Sequence, residues 1–488
     1  MFKFFLFISI FSGTAKIAFL HHGNQSFSDN GAYTLRPGDE GYNGNSFHRT
    51  LDTHEYYNVP LDIHISGPLT ESYSWMRNDN GLLNRLKGDL VYLVGGSYAE
   101  NILPYVDSTA NKNSFQFVKE VYDSTIKGVG WPDFPTVIWI PERVFKSENL
   151  MPYSLIKLLN EAYGKYDSQG HYLAPCIVLD DNVHEWYYHT YPDGTECHNS
   201  RKVHIMYDNE GNYVFVVFIQ KVARDQMVWN DISNPNNPLH QLLEALSNDP
   251  DQEQIVIYGD DWEKAAGVAG WDFGQAGVPA SSYDHNISYI ASQNWIQPVH
   301  IAEAVKWWGV DKLYDSDPLN DPPSIQIDYA AYQELHDWTG GTYDNWYDDF
   351  KNTQAWGCEN GPDLNGNGVY GDYEDLWKFA YEKLLNVPSN EISRLGWITL
   401  MGMLYETAWH TGPGGELVYW GKNVWNHTRY GGIFAFGSVW YDSLRFLAQA
   451  DVHEEDLDGD GVKEYALYND RICFIFDRRG GRALAVFT

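Results

Sequence analysis

Seven short runs of β-forming residues constrain this chain more than any other feature: KIAFLHH (16–22), PLDIHIS (60–66), DLVYLVGG (89–96), TVIWIPE (136–142), CIVLDD (176–181), YVFVVF (213–218) and QIVIYGDD (254–261). Most are continuously apolar rather than alternating, as strands covered on both faces of a parallel sheet must be. Between them lie amphipathic stretches such as SFQFVKEVYDSTIKG and MPYSLIKLLNEAYGKY, which read as crossover helices with glycine near their C-terminal ends. The repeating unit is βα. Seven such units make either a doubly wound sheet or a barrel related to the eightfold kind, and both place function at the carboxyl ends of the strands.

Those ends carry polar residues: His21 and His22, Ser66, Gly95 and Gly96, Glu142, Asp180 and Asp181, then Asp260 and Asp261. A buried strand that finishes on a carboxylate delivers it to a cleft, because an unpaired charge cannot stay in the core. Glu142 and Asp261, from different strands, are the minimal equipment for glycoside hydrolysis. Histidines with paired aspartates could instead hold a catalytic cation, as in metal-dependent deacetylation. Adjacent strand residues point to opposite faces, however, so only one of His21 and His22 can enter a barrel mouth. The carboxylate pair is therefore the reading taken. By the same alternation Arg143 points away from Glu142, as an outward ion-pair partner. A proton donor at Asp261 would need like-charged neighbours to raise it, and Asp260, Glu263 and Glu142 are the candidates.

The charge balance bounds the partner. With 66 acidic and 33 basic residues the chain carries a formal charge of −33, which repels nucleic acid and anionic lipid. A neutral partner fits, and 19 Trp and 35 Tyr supply flat rings suited to sugar faces as well as to cores. The opening MFKFFLFISIFSGTA (1–15) has the form of a secretory signal peptide, so export is expected, and no later run reaches the roughly 20 apolar residues that span a bilayer. Cys176, Cys197, Cys358 and Cys473 fall at no metal-like spacing, and Cys176 with Cys197 is the nearest pair.

Two loops read as calcium sites. DLNGNGVYGDYE places Asp363, Asn365, Asn367, Gly368 and Glu374 at positions 1, 3, 5, 6 and 12 of the EF-hand pattern. DLDGDGVKEYAL repeats it with Asp456, Asp458, Asp460 and Gly461, but Leu467 stands twelfth, so Glu464 must substitute. Structural Ca²⁺ is expected, and no organic cofactor. From about residue 320 longer helical patterns take over, including EISRLGWITLMGMLYETAW and VWYDSLRFLAQA, with no buried strand until EYALY (464–468). RICFIFDRRGGRALAVFT then alternates like a β-hairpin or the start of a β-domain. The expected organisation is a leader (1–15), a catalytic βα domain (16–315), a helical domain contributing to the site (316–450) and a β appendage (451–488).

Several of these stretches together resemble one family. VIWIPERVF, VLDDNVH and VIYGDDWEKAAG are similar to the third motif, the following Asp-Asp strand and the fourth motif of glycoside hydrolase family 57, and LDIHISGPL, GDLVYLVGGSYAENIL and YETAWHTG extend the likeness over about residues 16–450. The resemblance implies an α/β fold, an incomplete (β/α)7 barrel followed by an α-helical domain and a short C-terminal β segment. It implies Glu142 as nucleophile and Asp261 as general acid/base. It also implies His22, Asn24, Gln25, Trp139, Asp181, Glu263, Trp271, Glu406, Trp409 and His410 around an α-glucan. Departures are visible: HHGNQS keeps His22 but has Asn24 and Ser26 where the family's first motif has His and Pro, Val91 replaces a strand Glu, and Glu406 stands where Asp is common. HGNQ resembles the related α-amylase family 119. The expected activity is retaining hydrolysis of α-1,4-glucans of α-amylase type, with 4-α-glucanotransfer and a catalytically weak polysaccharide-binding homologue as the alternatives.

Overall fold

The computed structural model describes residues 13–23, 47–71, 80–188, 199–267, 278–404, 406, 422, 426–447 and 449–488. Each of the seven runs contains a strand: β1 (Ala15–Gly23), β2 (Leu61–Ile65), β3 (Val91–Leu93), β4 (Val137–Trp139), β5 (Cys176–Asp180), β6 (Tyr213–Ile219) and β7 (Ile255–Asp261). All seven are parallel to their neighbours in this series. One sheet runs β7-β1-β2-β3 and the other β4-β5-β6. An isolated parallel bridge from Gly95 to Ile138 joins β3 to β4. On the opposite seam Gln220, just past β6, donates its N–H to the Ile257 carbonyl of β7 at 3.0 Å. The result is a mixed α/β fold in which seven parallel strands follow one another around an incomplete barrel.

Continuous apolarity has the predicted cause, since both faces are covered. Along β1, Ile17 and Phe19 pack in one core with the surrounding helices, whereas Ala18 and Leu20 pack in a second core with Tyr92, Trp139, Val178 and Val217 inside the barrel. Helices α1 (Ser108–Thr125) and α2 (Leu155–Tyr163) cover the outside, each started by a side-chain cap: Asp107 accepts from the Thr109 N–H, and Ser154 from the Lys157 N–H. Among the described residues no helix is long and apolar enough to cross a membrane. Cys176, Cys358 and Cys473 are buried free thiols, and Cys197 lies outside the described residues, as do residues 1–12 of the expected leader.

The downstream part contains helices α3 (Tyr373–Leu385), α4 (Glu391–Met403) and α5 (Tyr430–Asp442). α3 and α4 begin with capping boxes, Asp372 with Asp375 and Asn390 with Ser393. The C-terminal segment is larger than a single hairpin. It is a four-stranded antiparallel meander of β8 (Asp451–Glu455), β9 (Glu464–Tyr468), β10 (Cys473–Asp477) and β11 (Arg482–Phe487), whose Ala466, Ile475 and Phe487 pack on Ile433, Phe436 and Trp440 of α5.

A short strand departs from the sequence reading. In the stretch read as helical after residue 320, where no buried strand was expected, Tyr329–Ala330 pairs antiparallel with Phe145–Lys146 just beyond the Pro-Glu-Arg turn. This pairing returns the chain to the end of β4 and delivers Tyr332 to Glu142.

Candidate active site

The β4 strand stops at Trp139 because Pro141, lacking an N–H, cannot continue the ladder. Glu142 and Arg143 then both adopt left-handed backbone, with φ of 50° and 52°. Such a conformation costs a non-glycine residue about 1–2 kcal/mol. This turn overrides strand alternation. Arg143 does not point outward: it is buried, its guanidinium lies 4.9 Å from the Trp139 ring and 4.3 Å from the Tyr332 ring, and its Nε donates to Asp180 Oδ2 at 3.0 Å. Arg224 holds the other Asp180 oxygen at 3.2 Å.

Glu142 is buried beside this cation. Burial first, then the like charge of Glu406 and of Asp261, push its carboxyl up to about 8, while Arg143 and a hydrogen bond from the Tyr332 hydroxyl oppose the shift. Asp261, at the end of β7, keeps a side chain 39% exposed. Its neighbours divide by role. Asp260 is paired with Lys264 at 2.8 Å, and the same ammonium lies 3.8 Å from Asp261. Glu263 is buried, and burial followed by the charge of Asp261 raises it well above the usual carboxylate range. Asp181, beyond β5, accepts the Lys221 N–H at 3.2 Å and is pushed up to about 7, by burial first and then by Asp180.

On β1 the alternation argument applies. His21 faces the helices, with Nε2 2.9 Å from the Tyr283 hydroxyl. His22 faces the barrel interior, stacked on Trp139 with ring centroids 4.3 Å apart. Register places His64 of β2 directly beside it, and their Nδ1 atoms are 2.9 Å apart. Both imidazoles face Glu100, whose main-chain carbonyl accepts the Glu406 N–H at 2.9 Å. Glu406 is thereby tied to the barrel, with φ of 41°. Trp139 is fully buried and meets the cleft through His22 and Arg143.

The structure thus brings together Glu142, Asp261, Glu406 and Arg143, and places His22 and Trp139 behind them. Asn24, Gln25, Trp271, Trp409 and His410 lie outside the described residues. Four residues of the cluster, Arg143, Tyr332, His64 and Glu100, were not singled out from sequence as site residues. Only His64 left a usable signal, since LDIHI aligned in parallel with KIAFLHH puts the two histidines side by side. Chemically, a buried and a half-exposed carboxyl that act on each other can divide nucleophilic and acid/base work between them.

Both candidate calcium loops have turn geometry built from their own side chains. In the first, Gly368 N–H donates to Asp363 and Val369 N–H to Asn367. The amide of Asn365 donates to Glu374 and Asp372, each at 2.9 Å, and Glu374 also accepts from Tyr347 at 2.9 Å. In the second, Asp456, Asp458 and Glu464 converge with their ligand oxygens all within 4.8 Å. Glu464 has a fully buried Oε1 without a hydrogen-bond partner, and burial followed by the charges of Asp458 and Asp456 pushes it up to about 8. Asp460 is taken instead by Arg479 and Arg429. Two buried acids and a half-buried one, with an orphaned oxygen, fit a hard cation.

No protein-family model matches the sequence, and no curated protein matches it. Among solved structures, the fold is similar to the crystal structure of a 4-α-glucanotransferase from Thermococcus litoralis, at TM-score 0.53 and 16% identity over 98% of this chain and 67% of that one. It is also similar to a GH57-type branching enzyme from the hyperthermophilic archaeon Pyrococcus horikoshii, at TM-score 0.51 and 10% identity over 88% of this chain and 91% of that one. The likeness is one of architecture: this chain has a fold like that of the GH57-type enzymes.

Proposed function

We propose that the protein is a retaining glycoside hydrolase acting on α-1,4-glucans, with Glu142 as the nucleophile and Asp261 as the general acid/base. The observation that carries this reading is the convergence of carboxyls at one end of the barrel, where Glu406 and Asp261 lie close enough to buried Glu142 for their charges to raise it. Double displacement requires one proton on the pair: Asp261 gives it to the leaving oxygen while Glu142, ionised, attacks the anomeric carbon. Burial favours the proton on Glu142. Arg143 and the Tyr332 hydroxyl favour the Glu142 anion, so they are the groups that prepare the productive arrangement. A developing positive charge on the sugar would complete the shift. His22, Asp181, Glu263 and Glu406 are the described residues assigned to sugar binding, and Asn24, Gln25, Trp271, Trp409 and His410 are assigned the same role from the sequence resemblance alone.

Calcium in the two loops would be structural, held by Asp456, Asp458 and Glu464 in the second, with Asp460 kept by its arginines, and by Asp363, Asn365, Asn367 and Glu374 in the first. The leader-like opening supports secretion, and millimolar extracellular calcium would fill even weak loops.

The test uses soluble starch and maltoheptaose with the wild type and a Glu142→Gln variant. New reducing ends from the wild type alone are expected. Longer oligomers without net reducing ends would replace hydrolysis by 4-α-glucanotransfer, the reaction named for the Thermococcus neighbour. No product from either protein, with glucan still bound, would overturn the enzyme reading in favour of a binding homologue. Asp261→Asn is expected to lower the rate by about 10²–10⁴.

A further inference from the structure

His22, His64 and Glu100 meet in the barrel interior, 0%, 0% and 1% exposed. The two Nδ1 atoms are 2.9 Å apart. On the far side of each ring, His64 Nε2 faces Glu100 Oε1 at 3.5 Å and His22 Nε2 faces Oε2 at 3.7 Å. Among the described residues neither Nε2 and neither carboxyl oxygen has a hydrogen-bond partner elsewhere. Three side chains are therefore joined by three gaps in a closed ring.

Protons can be counted around it. The Nδ1 contact holds one proton, since two would set hydrogen against hydrogen and none would oppose two lone pairs. One neutral ring therefore carries its proton on Nδ1 and leaves Nε2 bare. The other carries its proton on Nε2 and donates it to a Glu100 oxygen. The bare Nε2 faces the remaining oxygen, and an ionised carboxylate there would bury two acceptors against each other. We propose that His22, His64 and Glu100 hold three protons, one in each gap, so that Glu100 is a neutral carboxylic acid and the ring carries no net charge. Shifting all three protons around the ring gives the only other arrangement, with the same count. Closure to hydrogen-bond length shortens the two outer gaps by about 0.7 Å.

The surroundings favour this state. Burial, then Glu406 and Glu142, and more weakly Asp261, raise Glu100 well above the usual carboxylate range, with Arg143 opposing. Burial likewise holds both imidazoles well below their ordinary value, helped at His22 by Arg143. A divalent cation is the rival occupant, because gaps of 3.5 and 3.7 Å are near the edge of about 3.4 Å in a tetrahedron with metal–ligand distances of about 2.1 Å. It would need both Nε2 atoms bare and both Nδ1 atoms protonated, which the 2.9 Å contact forbids.

Glu100 and His64 are then positioning residues. They hold His22 flat on Trp139 and, through the Glu100 carbonyl, anchor Glu406 without adding a charge beside Glu142. This role, though not the proton count, rests on the nucleophile assigned above. Glu100→Gln offers a carbonyl and an N–H in the places where a neutral acid offers a carbonyl and an O–H. Three results are expected. The carboxylic-acid C=O stretch of the wild type at pH 7 disappears in the variant's infrared difference spectrum. ¹⁵N-histidine spectra of the wild type show two neutral rings. The acid limb of kcat/KM stays in place in the variant. Absence of the acid band, an imidazolium signal at pH 7, or a limb that falls by a pH unit or more would each overturn the proposal. So would stoichiometric Co²⁺ binding, read by its visible absorption in the wild type and lost in the variant. Infrared and nitrogen spectra decide the proton count even where no glucan is cleaved.

Discussion

Replacing Glu142 by Gln is expected to stabilise the protein at alkaline pH and to leave it unchanged in acid. The native carboxyl is raised from an ordinary 4.5 to about 8. Folding therefore favours its protonated form, and the stability linked to this group is complete below the unfolded value and lost as pH rises through the native one. At about 1.4 kcal/mol per pH unit, the whole interval corresponds to about 5 kcal/mol. Part of the rise comes from Glu406 and Asp261, which also relax when the charge is removed, and Gln loses the favourable pairing with Arg143. A net gain of about 3 kcal/mol above pH 8 is the working figure. For a cooperative unit of about 300 residues, with an unfolding entropy of about 2 cal/mol/K per residue, that raises Tm by about 5 °C. Thermal melts of both proteins between pH 4.5 and 9 test it, in the presence of calcium so that the loops stay in one state. The gap should be near zero at pH 4.5, open through the range 5–8 and level off. A variant that melts below the wild type at pH 9, or a gap independent of pH, would refute the claim that the Glu142 anion is strained by its site.

Three further outcomes follow from local geometry. Tyr332→Phe removes the hydroxyl that favours the Glu142 anion, so the acid limb of kcat/KM should move up by about one pH unit, the worth of one hydrogen bond to a charged group; an unmoved limb would dissociate Tyr332 from the nucleophile. EDTA should lower Tm, by an amount set by about 2.7 kcal/mol when calcium had been at a hundredfold excess over its dissociation constant. Glu464→Gln should remove most of that response, and an unchanged Tm would count against both loops as occupied sites. Gly371→Ala forces a Cβ to within 1.9 Å of the Cys358 carbonyl oxygen at φ of 64°, which should cost about 2–4 kcal/mol in denaturant unfolding; a midpoint equal to wild type would contradict the packing of the first loop.

What could be read from the sequence was what two-sided burial writes into every residue of a strand. The seven parallel strands are legible because a segment covered on both faces must be apolar at each position, and Glu142 and Asp261 stand out because each ends such a run. The inward His22 and outward His21 follow from the same pleat. Arg143 shows where this logic stops. Alternation presumes extended backbone, and two consecutive left-handed residues reverse the direction a side chain takes without leaving a mark in hydropathy. Tyr332 and Glu100 mark a second limit, because their partners are chosen by how the chain closes in space. Tyr332 reaches Glu142 only through the pairing of Tyr329–Ala330 with Phe145–Lys146. That two-residue strand lies 183 positions downstream of its partner in the register Tyr329 to Lys146. Such residues are recovered by asking which groups a buried charge must have: Glu142, Glu100 and Glu464 each demand a donor, a proton or a cation. The partners found in that way, Tyr332 with Arg143, the two histidines, and the loop aspartates, are the ones on which the chemistry proposed here depends.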